Sequence, residues 1–128
     1  MKINFDSIIP VYLQIAQAIE DDILMDKLKE GDNCYSQLVI SKEIGVNPAT
    51  AAKGIYLLVQ KGVLDKQRGL SMVVAKGAKD LILNDKIKNN LSRLIEGLIN
   101  EADKLNFSKA ELFKLIETHY TERGEKNE

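Results

Sequence analysis

Apolar positions recur at steps of three and four through the first part of the chain. Leu13, Ala16, Ile19, Ile23 and Leu24 fall on one helical stripe, while Glu20, Asp21 and Asp22 occupy the other face. A helix is expected over residues 9–28, with Pro10 in its first turn, where the missing N–H costs nothing. Gly31-Asp32-Asn33 then signals a turn. A short second helix is expected over residues 37–44, with Ser36 placed to cap it and Gly45 suited to a left-handed stop. Asn47 can cap a third helix that opens on Pro48 and ends before Gly62. Residues 36–61 therefore read as helix, tight turn, helix, which is the helix-turn-helix arrangement.

Beyond Gly62 the periodicity changes. Val63-Leu64 and Met72-Val73-Val74 are short apolar runs suited to strands, and Lys66-Gln67-Arg68-Gly69 between them is basic with a turn-making glycine. A two-stranded hairpin with a positive tip is the simplest account. From Lys79 the helical stripe returns through Leu83, Ile87, Leu91, Leu94, Ile95, Leu98, Ala102 and Leu105. Ser108 followed by Glu111 is a capping-box signature for a last helix carrying Leu112, Phe113, Ile116 and Tyr120. The expected fold is mainly α. A winged helix-turn-helix domain (three helices plus a two-stranded β-hairpin wing) spans residues 9–76, and a two-helix C-terminal segment spans residues 77–123.

Composition narrows the function. The 128 residues are 45% hydrophobic and 29% charged, which is ordinary globular composition for one domain with an appendage. No apolar run is long enough to span a bilayer and the N-terminus lacks a signal-peptide pattern, so a cytoplasmic protein without a membrane partner is expected. Cys34 is the only cysteine and His119 the only histidine, so neither a disulfide within the chain nor a metal site is expected. Cys34 reads as a buried small hydrophobe. With no Ser/His/Asp grouping and no phosphate-binding glycine loop, no enzyme and no cofactor are expected.

The formal net charge of −1 conceals a segregation: residues 1–35 carry −4, residues 36–76 carry +4 and residues 77–128 carry −1. The positive segment contains the helix-turn-helix and the hairpin. In such a motif the second helix enters the DNA major groove with its N-terminal residues leading, and its positive dipole end and free amides favour phosphate. Double-stranded DNA is thus the expected partner. Ser36, Gln37, Asn47, Pro48, Ala49, Thr50 and Lys53 are the candidate contacts in or beside the groove, and Lys66, Gln67, Arg68 and Gly69 those of the wing.

Three separated stretches carry a family resemblance. IPVYLQIAQAIEDDIL, EIGVNPAT and QKGVLDKQRG resemble, in that order, the first helix, the motif turn and the approach to the wing of the GntR family of bacterial regulators. The resemblance covers about residues 9–75. Only a short two-helix segment follows, which is similar to the small YtrA-type branch, whose C-terminal helices serve mainly for dimerisation. Two positions depart from the family pattern. Leu38 stands where the resemblance implies an arginine that contacts DNA, and Ser71 stands where it implies a second wing glycine. Leucine cannot make the bidentate guanine contact of an arginine, worth roughly 1–3 kcal/mol of discrimination.

Two helices cannot bury so apolar a stripe alone. Leu83, Ile87, Leu91, Leu94, Leu98, Leu112, Phe113 and Ile116 are the candidate dimer contacts, and a two-fold homodimer acting as a repressor on a pseudo-palindromic operator is expected. The alternative is a dimeric winged-helix interaction module with weakened or lost specific DNA binding. A small-molecule effector, unnamed by the sequence, is a third element of the reading.

Overall fold

The computed structural model describes residues 1–67 and 71–124. The described residues fall into two compact units, divided between Asp85 and Lys86.

The first unit begins with an arm that Gln14 fastens to the first helix. Its side-chain amide donates to the carbonyls of Asn4 and Ile9, and its oxygen accepts the Asn4 amide. Helix α1 spans Val11–Leu24, with Pro10 as its N-cap residue. It ends four residues before the periodicity suggests, and the cause is local. Asp26 adopts a left-handed φ of 61°, the Lys27 amide donates to the Asp22 carbonyl, and the Asp26 amide donates to Ile23. This is a Schellman stop with aspartate in the place glycine usually takes, so the sequence carries no glycine to announce it.

Helices α2 (Gln37–Ile44) and α3 (Pro48–Gln60) follow, then strands β1 (Leu64–Asp65) and β2 (Val73–Val74) and helix α4 (Ala78–Asp85). The strands pair antiparallel, Leu64 opposite Val74 and Asp65 opposite Val73. Segment 31–34 adds an edge that its polar sequence does not suggest. Asn33 bridges Val73, the Cys34 amide donates to Met72, and the Val74 amide donates to Asp32. One core joins all of these elements: Ile15, Ile19 and Ile23 of α1, Ile40 of α2, Ile55 and Leu58 of α3, Leu64 and Val74 of the sheet, and Ala78 and Ile82 of α4. Each of these isoleucine, leucine and valine side chains contributes about 1.5–3 kcal/mol by leaving water. Because Ala78 and Ile82 belong to this core, α4 lies with the winged unit.

Among the described residues Glu20 is the one buried charged side chain, and Lys61 at the end of α3 stands 3.9 Å from its carboxylate. Cys34 is buried, as its sequence setting suggests, and burial pushes its thiol from an ordinary 9.0 up to about 11. Beside it, the Tyr35 hydroxyl donates to the Asp22 carboxylate at 2.5 Å.

The long stripe expected as one helix is interrupted. Residues Lys86–Leu91 wind as a π-helix, and α5 covers Ser92–Lys104. In the second unit α5 is closed by another left-handed polar residue, Asn106 with φ 53°, with the Phe107 amide donating to Ala102. Helix α6 (Lys109–Glu122) opens with the expected capping box: the Ser108 hydroxyl accepts the Glu111 amide at 3.1 Å, and the Glu111 carboxylate accepts the Ser108 amide at 3.0 Å. Ala102 and Leu112 are the buried pair of this unit. No helix among the described residues is long and apolar enough to cross a membrane.

Candidate nucleic-acid interface

The turn between α2 and α3 is built from side-chain caps. Ser36 accepts the Val39 amide at 3.1 Å and so starts α2. Gly45, at φ 72°, ends it in the left-handed conformation that costs glycine no Cβ clash. The Ser41 hydroxyl donates to the Val46 carbonyl and fixes the turn. Asn47 accepts the Ala49 amide at 2.8 Å and starts α3, with Pro48 at the first position.

Core packing then decides which face of α3 is left outside. Ala51, Gly54, Ile55 and Leu58 point inward. Gly54 meets α1 so closely that a Cβ there would lie 2.8 Å from the Tyr12 carbonyl oxygen. The opposite face presents Ala49, Lys53, Tyr56 and Gln60, all exposed, at the spacing of one helical stripe. Lys53 reaches back to α1, its Nζ 4.1 Å from the centre of the Tyr12 ring, a cation–π contact. Two residues of the Pro10–Gln14 stretch thus gain structural roles: Gln14 holds the arm, and Tyr12 holds Lys53.

The candidate contacts divide by what their polar atoms already do. Ser36 and Asn47 spend a side-chain acceptor on the caps. Pro48 and Ala49 are exposed at the mouth of α3, and Thr50 is half-buried there. The free amides expected at that mouth are engaged: Ala49 donates to the Asn47 side chain, and Thr50 and Ala51 donate to the Asn47 carbonyl at 2.9 and 3.3 Å. What α3 offers an anion is its dipole, not open N–H groups. Gln37 is exposed in the first turn of α2 beside Leu38 and Val39, also exposed. Lys66 and Gln67 are exposed just past β1, while Arg68 and Gly69 lie outside the described residues. The Lys53–Tyr12 contact links residues far apart in the chain, so no local sequence signal announces it.

The candidate dimer contacts also divide. Leu91, Leu94, Leu98 and Phe113 are exposed in the second unit, Ile116 is half-buried, and Leu112 is buried. Ile87 is exposed on the π-helical stretch, and Leu83 lies on α4 of the first unit. Among the described residues no group of three or more His, Cys, Asp and Glu side chains could hold a metal ion.

No protein-family model matches the chain. The chain is 30% identical over 125 residues to the HTH-type transcriptional regulator YhcF of Bacillus subtilis, covering 97% of this chain and all of that one. It is 30% identical over 98 residues to the HTH-type transcriptional repressor YtrA of the same organism, covering 74% of this chain and 75% of the repressor. Among solved structures, a GntR-family transcriptional regulator from Bacteroides thetaiotaomicron superposes with a TM-score of 0.74 at 28% identity, over 88% of this chain and 98% of its own. Similarity to YhcF along nearly the whole chain, similarity to YtrA over about three quarters of it, and the superposition on a solved GntR-family regulator agree with the three sequence stretches, and the chain belongs to the GntR family, in its small YtrA-like branch.

Proposed function

We propose that this DNA-binding transcription regulator is a homodimeric repressor that occludes a promoter by holding a pseudo-palindromic operator. The observation that carries the reading is the outward face of α3. A helix whose inner face is fully committed to the core presents Ala49 and Lys53 outward from its N-terminal half, next to a turn fixed by Gly45 and Asn47. That is the presentation a major-groove reader needs. In this reading Gln37, Thr50 and Lys53 contact DNA in or beside the groove, and Pro48 and Ala49 line the approach. Ser36 and Asn47 act by setting where the helices begin. Lys66 and Gln67, with Arg68 and Gly69, serve the wing.

The second unit supports the dimer. Leu91 at the end of the π-helical stretch, Leu94, Ile95 and Leu98 of α5 and Phe113 of α6 are large apolar side chains left exposed, and exposed apolar surface of this kind marks an interface. A second copy covering it gives the two-fold symmetry that a palindrome mirrors, with half-sites about 10 bp apart or somewhat more. The full chain, run in sedimentation against a duplex selected from random sequence, is expected to bind as two chains per duplex. One chain per duplex at saturation would overturn the dimer, and failure to repress a reporter carrying the selected sequence would overturn repression.

A further inference from the structure

The surface that the helix-turn-helix turns outward lacks the guanidinium that reads guanine and exposes methyl groups at the first turns of both helices. Residues 36–60 contain no arginine. Of the two lysines there, Lys53 is held over the Tyr12 ring and Lys42 follows in the last turn of α2. What the first turns expose instead is Leu38 (60% accessible), Val39 (52%) and the Ala49 methyl. Leu38 lies in the first turn of α2, next to Gln37 and on the side away from the buried Ile40. Leaving an aliphatic side chain in water costs free energy that burial would recover, and phosphate offers it nothing. In the major groove one group fits it, the C5-methyl of thymine.

We infer that Leu38, assisted by Ala49, reads thymine C5-methyl groups, and that the half-site of this regulator is built from A·T pairs rather than from the guanines an arginine would select. The inference rests on the DNA-binding reading above and deepens it. Gln37 supplies the complementary polar contact, since a glutamine amide pairs with the N6 and N7 edge of adenine.

The test uses the full chain and the duplex enriched from a random pool, with each thymine replaced in turn by deoxyuridine, which removes the C5-methyl and nothing else. The expected result is an A·T-rich half-site in which one or two replacements per half-site weaken binding about fourfold each. In Leu38→Ala that sensitivity disappears at one position while the others persist. In Leu38→Arg the preference at that position moves to guanine. A guanine-rich half-site, or one indifferent to every replacement, would overturn the inference and leave sequence-specific binding intact. Full sensitivity retained in Leu38→Ala would overturn the assignment to Leu38. A pool that yields no enriched sequence would overturn both the inference and the operator reading beneath it. Leu38 is exposed, so these variants keep the core.

Discussion

Gly54 of α3 and Tyr12 of α1 are in backbone contact: a Cβ at Gly54 would stand 2.8 Å from the Tyr12 carbonyl oxygen and 3.1 Å from Ile15 Cγ2. The oxygen is main chain and cannot rotate away, so any larger residue must push the helices apart. Gly54→Ala gains about 1 kcal/mol of helix propensity and loses about 1–3 kcal/mol to overpacking. The expected outcome is a net loss of stability in denaturant unfolding, with an unchanged dependence on denaturant. A more stable variant would show that α1 and α3 are not locked at this point. The same contact fixes the angle at which α3 is presented, so weaker DNA binding is expected to accompany the loss.

Asn47 tests whether a cap or a base contact matters at the mouth of α3. Asn47→Ala should cost about 1 kcal/mol of stability. Asn47→Ser keeps a side-chain acceptor and should restore most of it. If the role is capping, DNA affinity follows the same order and returns in the serine variant. Affinity lost equally in both would identify a direct contact instead.

Cys34 and Tyr35 make stability sensitive to alkali. Burial raises the Cys34 thiol from 9.0 to about 11, and burial with the Asp22 hydrogen bond raises the Tyr35 hydroxyl from 10.0 to about 12. In both cases the unfolded chain gives up its proton first as pH rises. Their contribution is therefore fully present below pH 9 and is lost between about pH 9 and 12. Unfolding free energy measured from pH 7 to 11 should fall above pH 9, and less steeply in Cys34→Ala. The wild-type thiol should also react slowly with thiol reagents at neutral pH.

Leu94 and Leu98 carry the dimer in this account. Leu94→Glu with Leu98→Glu places charge on the exposed apolar surface of α5 and should raise the dimer dissociation constant by about two orders of magnitude or more. Sedimentation equilibrium reads this directly. Thermal unfolding of the first unit should be unchanged, since neither residue belongs to its core. A variant that stays dimeric would move the interface elsewhere.

Lys53 is either a phosphate contact or a tie to α1. Lys53→Met should weaken binding to all sequences about equally and reduce the steepness of the salt dependence by about 1. An unchanged salt dependence would mean that the charge is spent on the Tyr12 ring.

Much of the fold was legible because its punctuation is chemical. Ser36, Asn47, Pro48 and the Ser108–Glu111 box mark helix starts by side-chain chemistry alone, and Gly45 marks a stop by its left-handed backbone. The illegible parts follow from substitutions that break those rules or from contacts distant in sequence. Asp26 performs the stop usually given to glycine. Segment 31–34 joins the sheet through backbone hydrogen bonds, which leave no apolar pattern. The π-helix at Lys86–Leu91 keeps the apolar stripe and so hides within it. For the interface, the sequence shows which residues sit at the helix mouths but not which polar atoms are already committed. The engaged amides of Ala49, Thr50 and Ala51 and the Lys53–Tyr12 contact emerge only from the packed chain.

The most direct test of a sequence-specific dimeric regulator is selection from a pool of random duplex DNA by the full chain at two salt concentrations. The expected result is enrichment of an A·T-rich pseudo-palindrome whose affinity falls steeply as salt rises. Salt-sensitive binding with no enriched sequence, or no binding at either concentration, would contradict it.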